Sequence, residues 1–282
     1  MIPHLLRGLP RTVFSSLGYP RWVSDRWLPL LQASWADLDL AKVGQVVPER
    51  TPVARYLHAL AESGYVGLGR EVASAGHVVR MLGPQRIRHA LAWFALLSEA
   101  DELGEDPAHH VVTGGAVGRV CAEEKGFDPL AGIVIGMAAV LGLRKLFPTR
   151  AQLAVVDPAL EIVKGPARDK LLIELASLTP SEAADSAVAR YALPADLAEL
   201  VVPVAGTPAA AVEALVQRAL VRGGSDADRW ARVRKAQPAL AQALGRKLPG
   251  TWVGVAERDL EGRADEAKRD EILERAMGIA GA

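Results

Sequence analysis

Three threonine–proline pairs, Thr51-Pro52, Thr179-Pro180 and Thr207-Pro208, punctuate this chain, and each is a signal for the start of a helix. A threonine at the N-cap accepts a backbone N–H through its hydroxyl, and proline suits the first helical position because its missing N–H has no partner there anyway. After Thr51-Pro52, the residues Val53, Tyr56, Leu57 and Leu60 fall at i, i+3, i+4 and i+7, so a helix is predicted that ends near Ser63-Gly64. Thr179-Pro180-Ser181-Glu182 is a capping box, opening a helix through Ala189 that stops before Leu193-Pro194. After Thr207-Pro208, Val212, Leu215, Val216 and Leu220 form the apolar stripe, and Gly223-Gly224 ends it. Further helices are predicted over 85–97 and 265–277, the latter carrying Glu271 and Arg275 as an i,i+4 pair. Half of the residues are apolar but only 5% are aromatic, so the core must be built from Ala, Leu and Val, a mixture that favours helix over sheet. The β-branched run Val201-Val202-Pro203-Val204 is broken by its proline. The predicted fold is all-α.

The totals narrow the function classes. Lys plus Arg number 33 and Asp plus Glu number 33, so no net charge calls for a nucleic acid. The single Cys121 excludes an intrachain disulfide and a cysteine-rich zinc site. It fits a reducing cytoplasm, where the protein is expected to reside. The N-terminal residues lack the basic region and unbroken apolar core of a secretory signal. The uncharged run over 130–143 is shorter than the roughly 20 residues a bilayer requires and is expected to be a buried core helix, with no membrane partner.

Several residue groups invite a chemical role, and each also has a plainer reading. Arg80, Arg86 and Arg88, with His89, form a basic cluster that suits an anionic ligand or an acidic partner surface, or else a solvated helix face. His110 could donate to a metal, although its neighbour His109 would point about 100° away on a helix. Gly114, Gly115 and Gly118 faintly resemble a phosphate loop, but no strand precedes them and no Lys-Ser/Thr follows. Close helix contact explains them better. Cys121 precedes Glu123-Glu124, which would raise its pKa. The stretches 104–107, 147–149, 165–166 and 223–225 read as short connectors.

The segment 52–93 carries a resemblance. Glu62-Ser63-Gly64-Tyr65-Val66-Gly67 stands where the HDOD family, degenerate relatives of the HD phosphohydrolases, has an Asn-Ser-x-Tyr-Tyr-Gly-like turn. Ala73 to Gly83 follows like its Ser-Ser-Ile-x-x-Ala-Ile-x-x-Leu-Gly stretch. His110-Val111 and Leu193-Pro194 come in the family's order. Gly136-Met137-Ala138-Ala139-Val140-Leu141-Gly142 matches a Gly-Leu-Leu-His-Asp-Ile-Gly segment, with Ala139-Val140 in place of the metal-binding pair. Neither side chain can ligate a cation, and without the ion there is no activated water. The resemblance implies an N-terminal helical segment (1–26), an HDOD-like domain (27–224) and a C-terminal helical extension (225–282). It implies a non-catalytic bacterial signal-transduction protein that contacts a protein partner, without cofactor or metal. A nucleotide or second-messenger sensor using the vestigial pocket is the alternative, and a residual metal-dependent phosphohydrolase the third reading.

Overall fold

A computed structural model describes residues 47, 49–191, 193–221, 227–246 and 266–281. The predicted N-terminal segment 1–26, together with Trp27 and Trp252, lies outside the described residues. Among the described residues every regular element is a helix. They are α1 (Pro52–Glu62), α2 (Ala75–Leu103), α3 (Glu105–Glu124), α4 (Pro129–Leu146), α5 (Arg150–Ile162), α6 (Pro166–Ala176), α7 (Pro180–Tyr191), α8 (Ala195–Val201), α9 (Pro208–Val221), α10 (Ala227–Ala243) and α11 (Glu266–Ala280).

The capping chemistry acts as its spacing requires. Thr51 Oγ1 accepts from Ala54 N at 3.2 Å, and Thr207 Oγ1 accepts from Ala210 N at 3.2 Å. At the head of α7, Thr179 N donates to Glu182 Oε2 at 2.7 Å while Glu182 N donates to Thr179 Oγ1 at 3.2 Å. This satisfies two otherwise orphaned donors reciprocally. A second capping box, Thr149 with Gln152, opens α5. It lies in what the sequence presents only as a connector.

Three boundaries differ from expectation, one being the end of the helix predicted over 85–97, which runs on to Leu103. The helix predicted from residue 85 is the second limb of α2, which begins at Ala75 and is broken at Gly83 (φ 70°, ψ 173°) ahead of Pro84. Proline removes one ladder hydrogen bond, and only glycine takes that positive φ without strain, so the chain turns there and resumes. The connector expected over 104–107 shrinks to Gly104 alone, because α3 starts at Glu105. Pro107 sits in its first turn, where no N–H is needed.

α4 is the central helix. α2, α3, α7, α8 and α9 all pack against it, and the apolar run over 130–143 is buried apart from half-buried Leu130 and Ala139. Its tightest neighbour is α3. Gly114 and Gly118 on α3 face Gly132 and Gly136 on α4, each pair spaced i,i+4 on one helix face. A Cβ built at Gly118 would overlap the carbonyl oxygen of Gly132, and one at Gly136 that of Gly114. The two backbones therefore touch directly, and the glycines are a packing seam.

Among the described residues, two apolar clusters result. The larger joins α1–α4 with α7–α10 and includes Trp93, Tyr191, Trp230 and Leu240. The smaller lies beyond the end of α4, where Phe147, Leu153, Leu171, Leu172 and Ile272 meet. Residues of the expected C-terminal extension thus contribute to both: Trp230, Val233 and Leu240 to the first, Ile272 and Ala276 to the second. Buried Gln237 on α10 donates to Thr113 Oγ1 on α3 at 2.8 Å.

Candidate functional site

The kink at Gly83 shapes the surface around it. Pro84 and Gln85 turn away from the first limb of α2. Below them, α8 brings Asp196 and Leu197 alongside Arg88 and His89. The resulting cleft has a volume of about 540 Å³.

Of the sequence-predicted basic cluster, the structure brings Arg88 and His89 together here and leaves the others apart. Arg80 is exposed on the first limb of α2, and Arg86 donates through Nη1 to the Val66 carbonyl at 3.1 Å. Arg88, 6% exposed, makes a two-pronged bond to Asp196, Nη1 to Oδ2 and Nη2 to Oδ1, at 2.5 Å each. His89, 8% exposed, has an Nδ1 without a hydrogen-bond partner, and the nearest carboxylate oxygen, Oδ2 of Asp128, is 3.9 Å away. Burial lowers the imidazole pKa despite the attraction of Asp128. The ring is therefore held neutral, and the charge of Arg88 is matched by Asp196. The cleft presents hydrogen-bonding groups rather than the basic field that the sequence cluster implied.

His110 lies elsewhere, half-buried on α3 beside Arg144, Arg150 and Asp106. Arg144, 1% exposed, donates to Asp106 Oδ2 at 2.7 Å and to the Pro148 carbonyl at 2.6 Å. Arg150 binds the same carboxylate. Burial first, and the Arg144 charge second, push the His110 pKa down to about 3. Two guanidinium groups at this imidazole repel a cation, an arrangement opposed to metal ligation. Among the described residues, no three His, Cys, Asp or Glu side chains gather into a metal-binding group. Val140 is fully buried against the Gly114 backbone, while Ala139 is half-buried.

The Cys121 thiol is pushed up to about 12, chiefly by burial. The acidic pair beside it counts for less than its position implies, because Arg229 and Arg232 on α10 bind Glu123 and Glu124.

Sequence reasoning missed Asp196, which stands 108 residues from its partner Arg88. Its only local signal is its place just after Leu193-Pro194. It also missed Asp157, half-buried on α5, whose carboxyl burial raises to about 7.

His110 and Asp157 impose opposite pH dependences. The folded protein resists protonating His110, so acidification from pH 6.5 towards about 3 favours the unfolded chain. Asp157 holds a proton in the fold that the unfolded chain releases above about 4, so stability from this group falls as pH rises through about 7. We expect the wild-type protein to show a shallow net slope between these limits. His110→Asn should gain about 3 kcal/mol relative to wild type between pH 7.5 and 4.5, and Asp157→Asn should lose about 3 kcal/mol over the same interval. Urea unfolding at both pH values measures this. Parallel curves for all three proteins would refute it.

No known family model, curated protein or solved structure matches the chain.

Proposed function

We propose that this protein is a non-catalytic regulatory protein of bacterial signal transduction that acts by binding a partner protein, and that its helical domain is a degenerate relative of the HDOD family. The observation that carries the reading is Val140. At the position where the resemblance calls for a metal-ligating pair, its side chain is fully buried in the α3–α4 seam against Gly114. Val140 and Ala139 offer a cation no donor atom. A concave surface lies instead at the Gly83–Pro84 kink. There His89 Nδ1 and the Arg88–Asp196 pair can accept and donate hydrogen bonds to a peptide segment.

The test is affinity capture from the source cells with the full chain as bait. Gln85 is exposed at the mouth of the cleft, so Gln85→Arg alters the surface without entering the core. The expected result is a partner retained by wild type and by Lys235→Glu on α10, and lost with Gln85→Arg. Equal capture by all three, or manganese-dependent turnover of a phosphodiester substrate, would overturn the reading.

The unsatisfied His89 nitrogen also favours a second reading, a small-ligand sensor at the same cleft. Millimolar nucleotides would then raise the melting temperature, because a ligand that binds only the folded state stabilises it. No shift would leave the partner-binding reading alone.

A further inference from the structure

A second concavity lies between the end of α5, the start of α6 and α9. It has a volume of about 280 Å³, and its lining includes Glu161, Lys164, Arg168, Gln217 and Arg218. Arg168 sets it apart. The residue is 8% exposed, yet among the described residues its guanidinium makes one hydrogen bond, from Nη1 to the Gln217 side-chain oxygen. Its Nε has no partner. Asp157, Asp169 and Glu213 lie near enough to influence it but none forms an ion pair with it. The Glu213 carboxylate is engaged by Ser181 Oγ at 3.1 Å and Gln217 Nε2 at 3.0 Å.

Among the described residues, every other guanidinium this deeply buried is matched directly: Arg88 by Asp196, and Arg144 by Asp106. A buried charge needs a partner, because desolvation costs more than one neutral hydrogen bond returns. At the wall of an open cleft, that partner can come from solution. Along the lining itself, Lys164, Arg168 and Arg218 stand against Glu161; behind it Asp157, Asp169 and Glu213 also act on Arg168, and burial raises the pKa of all three carboxyls. α6, 11 residues long, starts at this rim after Gly165 and carries Asp169 in its first turn. Its N-terminal dipole adds to the same sign of field. A guanidinium fork beside an ammonium suits a tetrahedral dianion better than a single carboxylate. The volume falls just below the usual range for small-molecule sites, about 300–1,000 Å³, and so suits a phosphoryl group with little attached.

We propose that this cleft is a phosphoryl-binding site, with Arg168 as its buried anchor and Lys164 as the charge at its mouth. Its occupant is free phosphate or the phosphoryl group of a small phosphomonoester. The site is separate from the cleft at the kink and does not depend on the partner-binding reading.

The test is titration calorimetry of the full chain with inorganic phosphate at constant ionic strength. The expected result is saturable binding in the millimolar range or tighter. Lys164→Ala, which changes an exposed side chain, should weaken it several-fold, and Arg168→Met by about tenfold or more, as for loss of a charge-assisted bond. Arg80→Ala should bind as wild type. If Arg168→Met fails to fold, Lys164→Ala and Arg218→Ala decide alone. Glycerol 3-phosphate binding more tightly than phosphate would identify a phosphomonoester as the occupant, and weaker binding would identify free phosphate. No saturation at tens of millimolar, wild-type affinity in both Lys164→Ala and Arg218→Ala, or tighter binding of acetate would overturn the proposal.

Discussion

Gly118→Ala is expected to destabilise the protein by about 3 kcal/mol or more, while Gly278→Ala stabilises it by about 0.5–1 kcal/mol. In an open helix the alanine methyl is favourable because it restricts the unfolded backbone. Gly278 on α11 is such a position, exposed and with nothing within 4 Å of an added Cβ. At Gly118 the same methyl meets the Gly132 carbonyl and the Gly136 backbone, whose N and Cα would lie 2.8 Å from it. Backbone cannot rotate aside as a side chain does, so α3 and α4 must separate along their whole seam. Gly115→Ala, which meets the side chains of Met137, Leu240 and Ile133 at 2.9–3.2 Å, should cost less because those ends can move. Guanidinium unfolding of the three variants gives the order directly. A Gly118→Ala protein as stable as wild type would mean that the helices do not touch as described.

Glu99→Gln should cost about 3–5 kcal/mol, the penalty for removing a buried counter-charge shared by two buried cations. The Glu99 side chain is 5% exposed and receives Lys145 Nζ at 2.5 Å on one oxygen and Arg190 Nη1 at 2.6 Å on the other. α2, α4 and α7 are thereby tied at one point. Arg190 keeps a second carboxylate, Glu102, through two bonds of 2.9 Å, whereas Lys145 loses the Glu99 charge and keeps the Ser186 hydroxyl. The double variant Glu99→Leu/Lys145→Met should therefore be more stable than Glu99→Gln, since it removes both members of the pair. The effect should persist in high salt, because buried pairs are poorly screened. The exposed Glu271–Arg275 pair at 3.3 Å should contribute less than about 0.5 kcal/mol. A double variant weaker than the single one would show that the pair contributes net stability.

The elements most legible in the sequence are those whose causes are local. Thr51, Thr179 and Thr207 act on N–H groups within three residues of themselves, so their helices start where the spacing places them. The glycines at 114, 115 and 118 were legible as a contact surface, because small residues at helical spacing leave few other uses. The candidate site was half legible. Arg88 and His89 stand in the cleft, but Arg80 and Arg86 do not share it, because the break at Gly83 and the Val66 carbonyl direct them elsewhere.

The amino-acid order alone determined an all-helical chain with an aliphatic core, through capping, propensity and apolar spacing that act over a few residues. Tertiary structure alone decided which charges are buried and what answers them. Asp196 neutralises Arg88 across 108 residues, Glu99 answers Arg190 across 91, and Arg168 is left with an amide. The physical reason is range. A helix cap is satisfied within one turn, whereas desolvation and Coulomb energy depend on every element packed around a group, and those neighbours exist only once the helices have assembled.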